Sequence, residues 1–507
     1  MEVTDGFSFY LFLLSFVIIF AILSSKLFFR FGFPILFIFL CFGMLAGSEG
    51  IGGIEFSDYE LTRKIGVFSL CFILFLGGLE TDWESMRKSI SIGVRLSLIG
   101  TVLTALILGF IIHYVLPVLS LIESFLLASI ISATDAASVF QSFKTSEANL
   151  SAHLRKIIEF ESGSNDAVGT VLTILCLNFI ISHSPSGISE GEGAGNLSIV
   201  KMGSFFFFFF SQIIIGLSIG FATGKAVIFL MNKVRLGYDG LYLVFISACI
   251  PFIYGSASVL QGNGFLAVYV AGLVIGQKQF IHKKSSIRFL NGFVWILQIG
   301  MFLCFGLLVF PTQLSSIWRE GVLIAIILCF VARPFAVWIS LVGTKVSIRE
   351  RHFISWTGLR GASPIILATF PVASGIPSAN IIFDIVFFVV LISLILQGSS
   401  MTWVAKKLGL LEPTSESLFR PQDFDNIELP GMSMQELIVP YQSYVVEKSL
   451  FELSLPTETQ ILLVARGDQF LIPSGNTQIR GGDVLWILAR DEAFPRIGQI
   501  LMGIKDV

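Results

Sequence analysis

Charged side chains are costly in apolar surroundings, so the few that interrupt long apolar stretches are the first candidates for chemistry. Six stand out: Asp135, Glu161, Asp166, Arg333, Arg360 and Asp384. Asp135 ends the run Ser132-Ala133-Thr134-Asp135. Glu161 and Asp166 bracket Ser162-Gly163-Ser164-Asn165, and Arg360 sits inside Gly358-Leu359-Arg360-Gly361. A buried carboxylate that holds either a proton or a cation exchanges one for the other by competition. Residues four apart share a helix face, so Ser162 and Asp166 can address one ion while Glu161 and Asn165 occupy the neighbouring face. A lone buried charge of either sign is expensive, and Glu161 is therefore expected to pair with Arg360. Arg333 is expected to give structural support. Asp384 falls near the outer end of its stretch, and Glu80 and Asp82 at the inner end of another are taken as loop charges.

Positioning these residues requires membrane spans. Thirteen apolar stretches have about the 20 residues a crossing helix needs: 7–29, 33–50, 65–79, 92–116, 119–140, 157–182, 203–231, 240–256, 258–277, 289–310, 320–343, 353–373 and 379–404. Glu2 and Asp5 stand where a signal peptide needs positive charge, so the first stretch is expected to be a retained helix. With the N-terminus outside, nineteen Lys and Arg fall in inner loops and four in outer ones, as the positive-inside rule requires. The tail is then cytoplasmic. Ser184–Ser198 is a Gly- and Ser-rich outer loop after stretch six, dividing the spans into six, one linker and six. Small residues in stretch five, and Gly358, Gly361 and Pro364 in stretch twelve, predict two interrupted helices at equivalent positions, the arrangement that offers backbone carbonyls to an ion near the midplane. The expected fold is an all-α polytopic membrane protein of about 13 transmembrane helices. They form two six-helix inverted repeats with discontinuous helices, followed by a small α+β cytoplasmic domain.

Composition agrees with a membrane protein. Of 507 residues 54% are hydrophobic and 13% charged, against roughly 25% charged in soluble domains, and the mean hydropathy is +0.84. Residues 412–507 hold 21 of the 68 charges. The boundaries expected are a transmembrane domain at 1–410, a linker at 411–430 and a regulatory domain at 431–507. A net charge of −2 argues against nucleic acid as a partner. The six cysteines lie in apolar stretches without metal-site spacing, and no span combines a nucleophile with a base. Neither an enzyme nor a resident cofactor is expected.

Thr134-Asp135, Glu161-Ser162 with Asn165-Asp166, and Gly358-Leu359-Arg360-Gly361, in this order on spans five, six and twelve, resemble the monovalent cation:proton antiporter family. The closest branch is the NhaP-type sodium/proton and potassium/proton antiporters of bacteria. Ala136 departs from the proline that several relatives carry after the first Asp. The resemblance implies a core domain that moves against a dimerisation domain, hence a homodimer in a bacterial inner membrane, in contact with lipid. It implies that Asp166, Asp135, Ser162 and the Thr134 carbonyl ligate the ion, and that Asn165 belongs to the same cation- and proton-binding site, where in place of a second Asp it goes with electroneutral exchange. In the tail, strand-like runs Ile461–Ala465 and Val484–Leu488 flank Gly467–Pro473, with turns at Gly475-Asn476-Thr477 and Gly481-Gly482-Asp483. This pattern resembles the TrkA-C (RCK-C) ligand-sensing domain. No Gly-rich phosphate loop precedes it, so the effector it would bind stays open. Antiporters with this tail tend to carry potassium. The expected function is exchange of K+, with Na+ second, for H+ by alternating access, in pH and cation homeostasis. The alternative is a cation channel or uniporter gated by the tail, against which stands the lack of a carbonyl selectivity filter.

Overall fold

A computed structural model describes residues 35–81, 89–135, 149–182, 200–234, 238–278, 282–412, 432–440, 443–456, 459–466 and 469–503, with a few isolated positions besides. Most of the first expected span, Asp82, the loop Ser184–Ser198 and nearly all of the linker lie outside the described residues. The chain forms two compact units, Met1–Pro413 and Thr414–Val507.

The first unit is helical. Its elements are α1 (Ile35–Ala46), α2 (Tyr59–Glu80), α3 (Ile90–Val115), α4 (Leu121–Ile130), α5 (Ala152–Ser182), α6 (Val200–Lys233) and α7 (Asp239–Val259). They continue with α8 (Gly264–Gly276), α9 (Lys283–Leu307), α10 (Leu314–Ser340), α11 (Ile348–Trp356), α12 (Ala362–Ala373) and α13 (Ala379–Leu408). By length and composition, eight of these can cross a membrane, while α1, α4, α8 and α12 are shorter apolar helices. A helix satisfies its own backbone, which is why apolar spans fold this way in lipid.

The two expected interruptions are present. Span five begins as α4, and residues 131–135 leave the helix. Span twelve is split into α11 and α12 by the non-helical residues 357–361. Both half-helices open with a Ser-x-x-Glu capping box, Ser120 with Glu123 on α4 and Ser347 with Glu350 on α11. In each, two free N-terminal donors are satisfied reciprocally. The boxes precede breaks at matching distances, since α4 has 10 residues and α11 has 9. The fourth member of each half matches too: α3 carries a π turn at Leu96–Gly100, α10 one at Leu328–Ala332, and the two helices pack together.

Helices α2 and α8 form a tight wall. Gly78 of α2 lies against the backbone of Tyr269 and Leu273, and Gly272 and Gly276 of α8 lie against the backbone of Phe75 and Leu79. A methyl group at any of the three would overlap the facing chain. Elsewhere a two-residue antiparallel ladder joins β1 (Asn149–Leu150), just before α5, to β2 (Leu411–Glu412), just after α13.

The second unit carries a four-stranded antiparallel sheet. Its strands are β3 (Met432–Ile438), β4 (Gln460–Arg466), β5 (Gln469–Leu471) and β6 (Val484–Arg490), in the order β3-β6-β4-β5. Helix α14 (Phe494–Met502) adds Ile497 and Leu501 to a core with Val464, Leu485 and Ile487. The two strand-like runs are β4 and β6. β3 was not expected, nor was β5, which forms a hairpin with β4 from the segment between them.

Asp483 is 1% exposed and bound by a fork from Arg466 (Nε to Oδ1 2.9 Å, Nη2 to Oδ2 2.8 Å), with the Arg480 N–H donating to Oδ2 at 2.8 Å. Burial works against the Asp483 charge, but these donors outweigh it and hold the carboxyl below its usual range. The stabilisation is therefore present above the ordinary carboxylate value of about 4 and disappears as pH falls through the lower folded value. In the full chain, proteolysis of the 414–507 unit is expected to accelerate below about pH 4. Asp483→Asn is expected to accelerate it already at pH 7 and to flatten its pH dependence.

Candidate functional site

The two interruptions meet. The Asp135 N–H donates to the Leu359 carbonyl at 2.8 Å, joining the α4 break to the α11–α12 break by a backbone bond. Arg360, fully buried in the second break, reaches into the first: its Nη1 donates to the carbonyls of Ser132 (2.7 Å) and Ala133 (2.6 Å). A cation thus satisfies carbonyls left free where α4 ends. The Arg360 N–H donates to Ser393 Oγ at 2.9 Å, and that hydroxyl donates to Gln397 Oε1 at 2.6 Å. Both groups stand on α13, Gln397 within a third π turn, Leu394–Gly398. The crossing is therefore held by backbone and side-chain groups from three segments.

Helix α5 lies beside it. A cavity of about 290 Å³ opens here, lined by Asp135, Ser162 and Asp166, and by Glu80, Arg155 and Glu159. Asp166 lies seven positions beyond Glu159 on α5, about 10 Å along the axis. The cavity therefore runs from the crossing toward the charged end of α5. Ser162 and Asp166 both line it, as their four-residue spacing requires. Asp166 is 6% exposed, and its Oδ1 has no hydrogen-bond partner among the described residues.

Thr134 and Asn165 are placed differently. Asn165 is completely buried and does not line the cavity. Its Nδ2 donates to Thr134 Oγ1 at 2.5 Å, and its Oδ1 accepts from the Thr134 N–H at 3.3 Å. The Thr134 carbonyl accepts from Ser162 Oγ at 2.7 Å. Two groups expected as ion ligands are thus bonded to each other, while Asn165 fixes the break next to them.

The expected Glu161–Arg360 pair is corrected. Glu161 forms its ion pair with Arg333 Nη2, and both side chains are almost fully buried (2% and 1% exposed). The physical reason is helix placement. Glu161 is on the face of α5 directed away from the cavity, toward α10. Arg333 comes from the turn directly after that helix's π turn. Arg360 instead spends its guanidinium on backbone carbonyls. Asp384 does not line the cavity; it stands on α13 near Tyr59 of α2.

Glu80, taken from the sequence as a loop charge, lines the cavity and accepts from Asn291 Nδ2 at 2.8 Å. Glu159 and Tyr269 line it as well. Gly78 before Glu80 was the available signal, since it sits at a close helix contact rather than in a loop.

Gly361 allows the crossing to form. A Cβ there would overlap the Asp135 carboxylate. Gly361→Ala is expected to displace Asp135 and cut transport more than tenfold in reconstituted vesicles, with the protein still monodisperse in detergent.

The transmembrane model of the sodium/hydrogen exchanger family matches residues 14–407. The chain belongs to the sodium/hydrogen exchanger family. It is a multi-pass membrane transporter and not an enzyme, and its tail, residues 434–501, matches the TrkA-C domain. Both resemblances drawn from the motifs are borne out. Among relatives of this exchanger, the K(+)/H(+) antiporter NhaP2 of Shewanella sp. (strain MR-4) is 34% identical over 484 residues, which are 95% of this chain and 81% of that protein. The K(+)/H(+) antiporter NhaP of Alkalimonas amylolytica is 32% identical over 97% of this chain and 82% of its own length. In fold, the exchanger resembles the sodium proton antiporter MjNhaP1 of Methanocaldococcus jannaschii. The TM-score is 0.65 at 22% identity, covering 79% of this chain and all of the other.

Proposed function

We propose that this exchanger swaps one monovalent cation, K+ in preference to Na+, for one proton, with Asp166 and Asp135 as the groups that hold either ion. Ser162 supplies a hydroxyl and Thr134 a carbonyl, while Asn165, Arg360 and the Glu161–Arg333 pair position them. The observation that carries the reading is the cavity that gathers Asp135, Ser162 and Asp166 where two broken spans cross.

Charge supports the one-for-one ratio. In their ordinary ionised forms Arg333 and Arg360 bring two positive charges to this core, and Glu161, Asp135 and Asp166 bring three negative ones. One proton or one monovalent cation makes the sum zero. A net charge at membrane depth costs several kcal/mol, so the loaded states are the ones able to move, and exchange carries no net charge. The cavity leads to Glu80, Arg155 and Glu159, at the end that the Lys and Arg distribution makes cytoplasmic, which fits an inward-facing stage of alternating access. Preference for K+ is supported by the relatives that match along nearly the whole chain, both called K(+)/H(+) antiporters. A probable Na(+)/H(+) antiporter of Methanocaldococcus jannaschii is 26% identical and covers 70% of this chain. We place the protein as a homodimer in a bacterial inner membrane, N-terminus outside, with residues 431–507 as a cytoplasmic regulatory domain joined to the 1–410 domain by a 411–430 linker.

The test is reconstitution in liposomes holding a pH-sensitive dye, challenged with K+ or Na+ while the membrane potential is clamped. Cation-driven alkalinisation, greater with K+ and insensitive to potential, is expected. Ion flux without proton movement would overturn the reading in favour of a channel.

A further inference from the structure

Two residues that line the cavity carry a buried side-chain oxygen that makes no close hydrogen bond among the described residues: Asp166 at Oδ1 and Tyr269 at its hydroxyl. The first belongs to the proposed ion site. The second has no role so far, although Tyr269 is only 3% exposed. It faces the Thr81 side chain, whose hydroxyl already donates to the Gly77 carbonyl at 2.7 Å, so the tyrosine oxygen keeps lone pairs to offer an ion, which phenylalanine would not. Its surroundings fix where it stands. Tyr269 belongs to α8, whose glycines lock it onto α2 with no side chain between them. Asn263 Nδ2, at the start of α8, donates to the Ala167 carbonyl of α5 at 2.9 Å, one residue beyond Asp166. That bond sets the register, and the tyrosine ring comes to lie against Gly163. A Cβ at Gly163 would stand 2.5 Å from Cε2 and 2.9 Å from the hydroxyl oxygen. The hydroxyl is therefore brought against α5 between Ser162 and Asp166 on one side and Glu159 on the other.

We propose that the Tyr269 hydroxyl is a cation contact: a neutral oxygen, carried by the α2–α8 wall, that replaces one water of the entering ion's shell in the inward-facing cavity. This rests on the cation–proton exchange reading of the cavity. The contact is made when the ion is loaded and contributes equally to the bound state and the moving state. Its loss therefore acts on apparent affinity and leaves the maximal rate alone.

Tyr269→Phe removes the oxygen and keeps the ring. In the reconstituted exchanger its KM for K+ is expected to rise about threefold to tenfold at unchanged maximal rate, the range of one neutral polar contact. Gly163→Ala, which pushes the ring aside without removing the hydroxyl, is expected to raise KM as well. In the double variant the two effects are expected to fall short of adding. A wild-type KM in Tyr269→Phe, or a lower maximal rate with KM unchanged, overturns the proposal and leaves the exchange reading standing. Absence of any cation-driven proton flux in the wild type overturns both.

Discussion

Asp166→Asn is expected to bring cation-driven proton movement down to the leak of empty liposomes. The amide fills the same space, so the variant should elute and unfold as the wild type does. It lacks a charge to attract a cation and a group that takes up and releases a proton. Losing several kcal/mol of attraction for the ion corresponds to at least about a hundredfold in rate. The charge count gives a second readout. With Asn at 166 the core sums to zero without an ion, so the empty protein becomes the neutral form. Cation binding, followed by protection against thermal unfolding, should vanish together with transport. Retained protection by K+ in Asp166→Asn would place the ion elsewhere in the cavity.

The second large effect concerns stability. Glu161→Gln leaves the Arg333 guanidinium buried without its carboxylate. Removing one partner of a buried pair costs about 3–5 kcal/mol, because the remaining charge is uncompensated. The variant is expected to unfold at clearly lower temperature in detergent and to yield little protein. The double variant Glu161→Gln with Arg333→Met removes the orphan charge and is expected to recover most of the loss. Glu161→Gln with Arg360→Met should not recover it, since Arg360 holds the carbonyls of Ser132 and Ala133. Recovery in the Arg360 combination alone would contradict the observed pairing.

That pairing marks the limit of what the residue order discloses. Apolar length and loop charge are local properties, so the spans could be drawn from composition. The two interruptions were visible because small residues, Gly358, Gly361 and Pro364 weaken a helix wherever it packs. Ser162 and Asp166 were legible as a unit since helix period alone puts them on one face. The choice between Arg333 and Arg360 for Glu161 had no such local code. Each is a lone cation in an apolar span, and the outcome depends on how α10 and α12 approach α5. Asn165 and Thr134 bind each other for the same tertiary reason, so a residue expected near the ion holds the backbone instead. Tyr269 was invisible for another reason: one tyrosine among apolar residues looks like core filling until it is found lining a cavity. β3 and β5 escaped because an edge strand interrupted by Ser433, Gln435 and Glu436 and a three-residue hairpin strand lack the apolar run that marked β4 and β6.

Gly361 also bears on how such a protein can change over generations. Any side chain at this position collides with the Asp135 carboxylate, and the backbone bond between Asp135 and Leu359 leaves the two segments no room to part. The crossing is thus closed to gradual substitution. A lineage that shifts its preferred ion has to do so through residues that approach from other helices, such as Tyr269 and Asn291. Heritable variation in selectivity is therefore expected on the cavity wall, with the crossing passed on unaltered.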